Sequence, residues 1–405
     1  MHRSPLLAKL SALIITAFVD MVGILMVIPL MPFYARHLGA SALMIGVLVS
    51  SFTAAQLLSA PAWGRVSDRY GRRPALLIGL GASAVAYVVF AYADSFWLLL
   101  LSRIVQGAGG GTTGVVQAYV ADSVEPQERA KALGWLSAAT NLGVALGPVI
   151  GSRAIHHFGQ HGPGLIAACL CVINMIFAWR FLSESRDMIE AKQITRKSGA
   201  SFEAIMHVIT HTREAAPRLI LIYAISIGAF QGVTAMLSLF LADKFGVGTD
   251  DIWIIFTYIG AISVITRAGI LGKAVDTYGE VALSRIGMVL LTLGLALFPF
   301  MPNYPTLAFA VALMPLGTAF TFPCVTSLLS RVIHSSERGL YMGVQQTFGG
   351  ISRVVVPLWA GFAYQRFGHG VPFWTSAIMV VGVMALGLGI DDPRKQQPTT
   401  TTVAA

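Results

Sequence analysis

The sequence predicts an all-α polytopic membrane protein with 12 transmembrane helices in two pseudo-symmetric six-helix bundles. Of its 405 residues, 55% are hydrophobic and only 12% are charged, and the mean hydropathy is +0.71. This composition is far too apolar for a soluble globular protein. An internal repeat predicts the two bundles, because a motif returns 208 positions later. The first copy contains Gly64, Asp68 and Gly71, and the second contains Gly272, Asp276 and Gly279.

Apolar runs long enough to cross a bilayer, about 20 residues each, occur six times in each half. The first six spans are 10–34, 43–63, 74–93, 97–118, 131–152 and 163–182, and the second six are 218–241, 251–271, 282–300, 304–329, 339–362 and 371–390. The predicted domains are therefore two bundles, 1–182 and 218–391, joined by a cytoplasmic linker, 183–217, and followed by a disordered cytoplasmic tail, 392–405.

The linker contains one amphipathic segment. One helical face would carry Phe202, Ile205, Met206 and Ile209. A short helix that lies on the inner membrane surface is therefore expected.

The basic residues orient the predicted helices. Most of the 28 Lys and Arg residues fall on the side of the membrane that holds the N-terminus and the linker. Cytoplasmic flanks collect such residues, so both termini are predicted to be cytoplasmic. The net charge of +9 then reflects membrane topology, and no nucleic-acid partner is predicted. The first apolar run contains Asp20 and continues to Tyr34, which favours a retained helix over a cleaved signal peptide.

Three motifs point to one family of membrane proteins. They are GRVSDRYGRRP between the second and third spans, LSRIVQGAGGG in the fourth, and GVALGPVIGS in the fifth. Together they resemble signatures of the major facilitator superfamily, and the third is typical of its drug/proton antiporter branch, which includes tetracycline and multidrug exporters. The resemblance implies the major facilitator fold, alternating-access transport and a location in a bacterial inner membrane.

The first of these motifs is a candidate conformational switch, which comprises Gly64, Asp68, Gly71, Arg72, Arg73 and Asp122. The glycines permit a tight reversal of the chain, and the arginines supply a positive flank. The resemblance implies that Asp68 docks near Gly339 on the eleventh span, and that Arg72 or Arg73 pairs with Asp122. These contacts would hold the cytoplasmic side closed. The alternative is a solvated basic loop. The second-half copy keeps Asp276 but lacks the double arginine.

The antiporter motif in the fifth span consists of Gly143, Gly147, Pro148 and Gly151. Its glycines are four residues apart and share one helix face, where small residues allow a second helix to approach closely. The alternative is ordinary helix packing. The family pattern ends in two glycines, and Ser152 occupies the second of these positions.

Asp20 is the one acid, among 19, that the predicted spans place near the bilayer midplane. A carboxylate at this depth is costly and is usually functional, so Asp20 is the candidate proton carrier. Arg103 in the fourth span lies within reach of a long side chain and is its candidate partner. The alternative is a permanent ion pair that only joins two helices. The equivalent second-half positions are Ala229 and Ala312, so proton handling is expected in the first half.

The central cavity of such a carrier lies between its halves near the midplane. Residues expected to line it are Phe52, Gln56, Asn141, Gln231, Phe320, Gln346 and Arg353. Each polar member has the alternative role of an interhelical hydrogen bond. Arg353 is suited to bind an anionic group of a substrate.

No cofactor or metal ion is predicted. Gly109, Gly111 and Gly114 match a dinucleotide-binding pattern but fall inside a predicted span, and there is no Walker motif. The three cysteines are expected to be packing residues. Two groups of histidines are not predicted to bind a metal ion, His156, His157 and His161 in one loop and His207 and His211 in the linker.

These observations predict a transporter and no enzyme activity: a proton-driven exporter of lipophilic, cationic drugs that works as a monomer. Its expected partners are a small-molecule substrate, protons and the lipid bilayer. One alternative is an exporter of an organic anion, such as a siderophore or a phosphorylated metabolite; another is a receptor or scaffold that transports nothing. Tetracycline exporters of the family use an acid in the ninth span, where this chain has Arg285, so tetracycline is not the predicted substrate.

Overall fold

The computed structural model describes residues 5–110, 113–124, 128–182, 184, 200–334, 337–387 and 389. These residues form helices and connecting turns, with no β-strand among them. Seven helical segments in the described part of the chain are long and apolar enough to cross a membrane. Each of the predicted spans overlaps a helix, and the predicted all-α membrane fold is confirmed. The predicted tail, 392–405, lies outside the described residues.

The helices of the first half are α1 (Pro5–Val27), α2 (Met31–His37), α3 (Ala42–Tyr70), α4 (Arg72–Ala91), α5 (Phe96–Gly109), α6 (Thr113–Ser123), α7 (Arg129–Phe158) and α8 (Gly162–Phe181). Those that follow are α9 (Ala200–Thr210), α10 (Ala215–Phe245), α11 (Ile252–Ile265), α12 (Leu271–Leu297), α13 (Tyr304–Val332), α14 (Arg338–Phe367) and α15 (Val371–Leu386). A π-helical turn, Thr266–Ile270, joins α11 to α12.

The chain forms two compact units. The first contains the described residues within 1–196, 231–264 and 353–372, and in it α1 packs on α7 and α8, while α5 packs on α3 and α4. The second contains the described residues within 197–230, 265–352 and 373–405 and is built around the pair α12 and α13. These units group residues by contact, so α10 and α14 each contribute to both. The domain boundaries drawn from the sequence stay predictions.

Backbone geometry supports the internal repeat. Three pairs of glycines, separated by 207 to 209 positions, have positive φ angles, which side chains other than that of glycine rarely permit. The pairs are Gly39 (76°) and Gly246 (67°), Gly71 (104°) and Gly279 (81°), and Gly159 (65°) and Gly368 (110°). The turns of the two halves therefore share their conformation as well as their spacing.

The linker helix predicted around residue 205 is observed as α9. Ala204 and Val208 are buried, whereas Phe202, Met206 and Ile209 are exposed. The exposed apolar face matches the one expected from the sequence. Its position on a membrane surface stays a prediction.

Candidate functional site

The glycine stripe of α7 lies directly against the backbone of α1, beside Asp20. A Cβ atom built on Gly143 would lie 2.8 Å from the carbonyl oxygen of Phe18, and one on Gly151 would lie 2.4 Å from that of Met26. Separations this short leave no room for a side chain. The middle glycine, Gly147, has the same relation to Val22, whose oxygen would be 3.0 Å away. The stripe therefore fixes the height and rotation of the α1 segment that carries Asp20.

The last position of the antiporter motif has a contact of its own. Ser152 is buried, and its hydroxyl donates a hydrogen bond to the backbone oxygen of Asp250 at 3.1 Å. The serine that replaces the family's second glycine thus ties the end of α7 to the turn before α11.

Asp20 is partly exposed and has two polar neighbours on other helices. The hydroxyl of Tyr87 on α4 and the thiol of Cys171 on α8 both interact electrostatically with its carboxylate. Tyr87 also packs on α1 at Gly23, one helical turn from Asp20, where a Cβ atom would lie 3.3 Å from the tyrosine oxygen. Asp20 therefore faces the interior of the helix group formed by α1, α4 and α8.

Arg103 on α5 is almost fully buried, with 2% of its surface exposed. Its guanidinium donates a hydrogen bond to the side-chain oxygen of Gln106 and lies 4.7 Å from the centre of the Phe52 ring. Among the described residues, no carboxylate lies within 4.0 Å of Arg103. The expected ion pair with Asp20 is therefore not formed in this conformation. The Tyr87 hydroxyl, whose electrostatic environment includes both residues, has no hydrogen-bond partner among the described residues.

Several buried polar atoms around Asp20 lack a hydrogen-bond partner in the part of the chain that the structure describes. They are Thr16 Oγ1 on α1, Arg103 Nε on α5 and Asn174 Oδ1 on α8. The amide nitrogen of Asn174 does bond to the Thr16 carbonyl oxygen, at 3.1 Å. Unpaired buried polar atoms are costly and are rare outside functional sites.

A residue that the sequence analysis missed organises the turn between α3 and α4. The Glu184 carboxylate accepts hydrogen bonds from the backbone N–H groups of Arg72 and Arg73, at 2.8 and 3.1 Å. It thus caps the N-terminus of α4, where a negative charge is favourable. Gly71, at a φ of 104°, leaves the space that the carboxylate occupies. Glu184 lies 112 residues from Arg72, so no local pattern indicates the contact.

The switch residues make the following contacts. Arg72 forms an ion pair with Asp68 at 3.1 Å and donates a hydrogen bond to the Ser67 hydroxyl. Arg73 donates to the backbone oxygen of Trp179 on α8. The side chain of Asp122 lies outside the described residues. Docking of Asp68 near Gly339 and pairing with Asp122 stay predictions.

The second half contains an ion pair of reversed polarity whose acid is buried. Glu280 lies 208 positions after Arg72, and Arg331 lies 209 positions after Asp122. In the structure Glu280 is buried and accepts hydrogen bonds from Arg331 and Ser327, at 2.9 and 2.8 Å. The repeat therefore places an acid at the position where the first half has a base. The shifts of 208 and 209 positions indicate this pair from the sequence alone.

We expect Arg331→Gln to destabilise the protein more than Glu280→Gln. The Glu280 side chain is only 7% exposed, so losing its cation strands a buried carboxylate, whereas Arg331 is 44% exposed and can turn to solvent. The difference should reach about 1 kcal/mol or more, measured by thermal unfolding in one detergent. Lys273→Gln, at an exposed position of α12, serves as the control. Equal destabilisation by Arg331→Gln and Glu280→Gln would contradict the inference that Glu280 depends on Arg331 as its cation.

A second charged network joins α2 to α10 and α14 within the first unit. Arg36 binds both carboxylate oxygens of Asp243, at 2.7 and 3.1 Å, and the Tyr364 hydroxyl donates to the same carboxylate at 2.6 Å. Bidentate contacts of this kind are among the stronger protein ion pairs. No local sequence pattern indicates this contact, because the partner of Arg36 lies 207 positions away.

The residues expected to line a substrate cavity have varied surroundings. Gln56 donates to the Gly110 carbonyl oxygen at 3.0 Å, and Asn141 donates to the Ser137 oxygen of its own helix. Gln346 approaches the Tyr223 hydroxyl at 3.5 Å. Phe320 packs in a buried cluster with Leu283 and Cys324.

The remaining two cavity candidates, Gln231 and Arg353, are partly exposed. Gln56 thus makes the alternative contact, a hydrogen bond from its helix to the end of α5, whereas the bond of Asn141 stays within α7.

Comparisons with known proteins agree with this architecture. The sequence model of the family described as Major Facilitator Superfamily matches residues 13–279 and 219–404. The class B tetracycline resistance protein of Escherichia coli is 27% identical over 379 residues, which cover 92% of this chain and 91% of that protein. Multidrug resistance protein 2 of Bacillus subtilis is 26% identical, with 90% and 91% covered.

Solved structures also share the fold. The crystal structure of the human organic anion transporter MFSD10 (TETRAN) has a TM-score of 0.72 and 22% identity, and covers 95% of this chain and 100% of that one. These similarities are to transporters that are embedded in membranes and take small-molecule substrates. The chain is therefore an integral membrane transporter that belongs to the major facilitator superfamily.

Proposed function

We propose that this transporter is a proton-coupled antiporter that exports lipophilic, cationic compounds by alternating access. The observation that carries the proposal is Asp20, a membrane-embedded carboxylate with no ion-pair partner among the described residues. One helical turn before it on α1, the buried hydroxyl of Thr16 also lacks a hydrogen-bond partner. Such a carboxylate is costly in a membrane unless it is protonated or faces a cation. A proton and a cationic substrate can therefore compete for it.

The coupling runs through the contacts of Arg103. With the guanidinium held by Gln106 and Phe52, the Asp20 carboxylate is available to a proton or a substrate. A small movement of Arg103 towards Tyr87 and Asp20 would place a cation beside the Asp20 carboxylate. The proton or the bound substrate would then be released. The positions of the two side chains thus link protonation to the conformation of the helix group.

Two further groups of charged residues account for the remaining steps of the transport cycle. We assign the network of Arg36, Asp243 and Tyr364 to the outer side, where it closes the path while Asp20 receives a substrate from the cytoplasm. The turn that holds Asp68 and Arg72 then closes the inner side. In this assignment both termini are cytoplasmic, and the protein is a monomer in a bacterial inner membrane. The relatives named for tetracycline and multidrug resistance support export as the direction.

The direct test is proton flux in liposomes that contain the purified protein and a trapped pH-sensitive dye. Cationic dyes added on the cytoplasmic side should exchange for protons and change the internal pH. Flux that is indistinguishable from that of liposomes without protein, for every cation tried, would contradict antiport of cations.

An organic anion is the second candidate cargo. Arg353 is partly exposed, Arg267 lies in the π-helical turn after α11, and Arg267 interacts electrostatically with Tyr223. A membrane-embedded cation such as Arg353 suits a carboxylate or phosphate group of a substrate. Arg267 is a separate candidate, because π-helical turns are frequent at functional sites.

Arg353→Ala distinguishes the two cargoes. We expect it to abolish export of anions and to spare cationic dyes, because it removes a cation and leaves Asp20 unchanged. Transport of each cargo is measured in the same liposome preparation. Arg366→Ala, an exposed arginine at the end of α14, is the matched control. If Arg353→Ala loses cation export and Arg366→Ala keeps it, Arg353 does not act on anions only.

A further inference from the structure

We propose that α9 and the turn after it form a zinc site whose ligands are His207, His211 and Glu214. The ligand atoms of these three side chains all lie within 4.8 Å of one another. Two imidazoles and a carboxylate are a set that Zn²⁺ prefers. The sequence shows the two histidines one helical turn apart, but the structure adds the carboxylate.

The closest pair of ligand atoms already has the spacing that zinc requires. His207 Nε2 and Glu214 Oε2 are 3.3 Å apart. Two ligand atoms on a tetrahedral zinc ion, each about 2.0–2.1 Å from the metal, are separated by about 3.3–3.4 Å. Only the exposed His211 ring must move to complete the set, and rotation about its side-chain bonds supplies that movement.

Hydrogen bonds leave the Nε2 atom of His211 ready to bind a metal. The Thr210 hydroxyl donates its single proton to the Met206 carbonyl oxygen at 2.8 Å. It must therefore accept the hydrogen bond from His211 Nδ1, which lies 2.8 Å away. With the ring proton on Nδ1, the lone pair of neutral His211 is on Nε2, the atom that would ligate zinc.

His207 has an equivalent support on another helix. Its Nδ1 lies 3.3 Å from the Tyr341 hydroxyl in the first turn of α14, and its Nε2 faces Glu214. Metal-ligating histidines typically use the second ring nitrogen for such an outer hydrogen bond, which orients the ring. The rings of His207 and His211 are stacked, with their centres 4.5 Å apart.

The site is open to solvent and connected to the transport machinery. The side chains of His207 and Glu214 are 32% and 54% exposed, so an ion can enter and leave, and water can fill the fourth position. Zinc would join the last turn of α9 to the segment that begins α10. Through Tyr341 it would also restrain the first turn of α14.

The test is zinc binding to the full-length protein without a histidine tag, by calorimetry in detergent. We expect one zinc ion per chain, and Co²⁺ in its place should show the visible absorption of a tetrahedral site. His207→Ala and His211→Ala should each lower the affinity at least about 100-fold. Tyr341→Phe, which removes only the outer hydrogen bond, should lower it about tenfold.

The control is the pair His156 and His157, two adjacent exposed histidines in α7. Replacing both with alanine should leave zinc affinity unchanged. The proposal is overturned if wild-type protein binds no zinc, or if the affinity survives in His207→Ala and His211→Ala. Glu214→Gln keeps the shape of the third ligand, so its loss of affinity, in a variant that elutes as a single species, separates ligation from misfolding.

Discussion

Proton-driven transport is expected to fall to the level of protein-free liposomes when Asp20 is replaced by asparagine. Asparagine has the same shape as aspartate, so the packing of α1 on α7 is preserved. It cannot exchange a proton, and it offers no charge to a cationic substrate. The measurement is dye-reported proton flux with substrate gradients of equal size for both proteins.

Two further variants test whether a loss of proton flux is specific to the Asp20 carboxylate. Asp94→Asn changes an exposed acid in the turn after α4 and should leave flux unchanged. Asp20→Glu restores the carboxylate one methylene further along and should regain part of the proton dependence. Thermal unfolding of Asp20→Asn should match or exceed that of wild type, because a costly buried charge is removed. Unchanged flux in Asp20→Asn would place proton coupling elsewhere in the chain.

The fold was largely predictable because its signals are local or periodic. Each span predicted from apolar run length overlaps a helix in the described part of the chain, and Gly71 and Gly279, which the repeat pairs, both have positive φ angles. The glycine stripe at Gly143, Gly147 and Gly151 predicted a close helix contact for a physical reason, the missing side chains. The boundaries were less accurate: α1 ends at Val27 and α2 begins at Met31 within one predicted span.

The partners of individual side chains were not predictable. Arg103 was expected to face Asp20, but in this conformation Gln106 accepts a hydrogen bond from its guanidinium. Glu184 and Asp243 lie more than 100 residues from the groups they bind. Their positions depend on how helices pack, and hydrophobic periodicity carries no information about which polar groups then meet. The one exception is the pair Glu280 and Arg331, which the repeat indicates once both shifts are applied.

Replacing Gly151 with valine is expected to abolish transport and to lower the unfolding temperature. The new Cβ would lie 2.4 Å from the Met26 carbonyl oxygen and 2.9 Å from its Cγ. Backbone cannot rotate away as a flexible side chain can, so α1 and α7 must separate. We expect a cost at or above the upper end of the roughly 1–3 kcal/mol typical of overpacking. Transport and thermal unfolding are measured on the same detergent preparation.

Gly134→Val makes the same chemical change on the same helix, at an exposed position where a new Cβ meets nothing within 4 Å. The change from glycine to valine alters intrinsic helix propensity similarly at both sites, so comparing the two variants cancels that contribution and leaves the contact with α1. Gly151→Ala should fall between wild type and Gly151→Val, since it adds the clashing atom without the branches. If the two valine variants behave alike, α7 does not hold α1 by this stripe, and the position of Asp20 must depend on α8 and α4 alone.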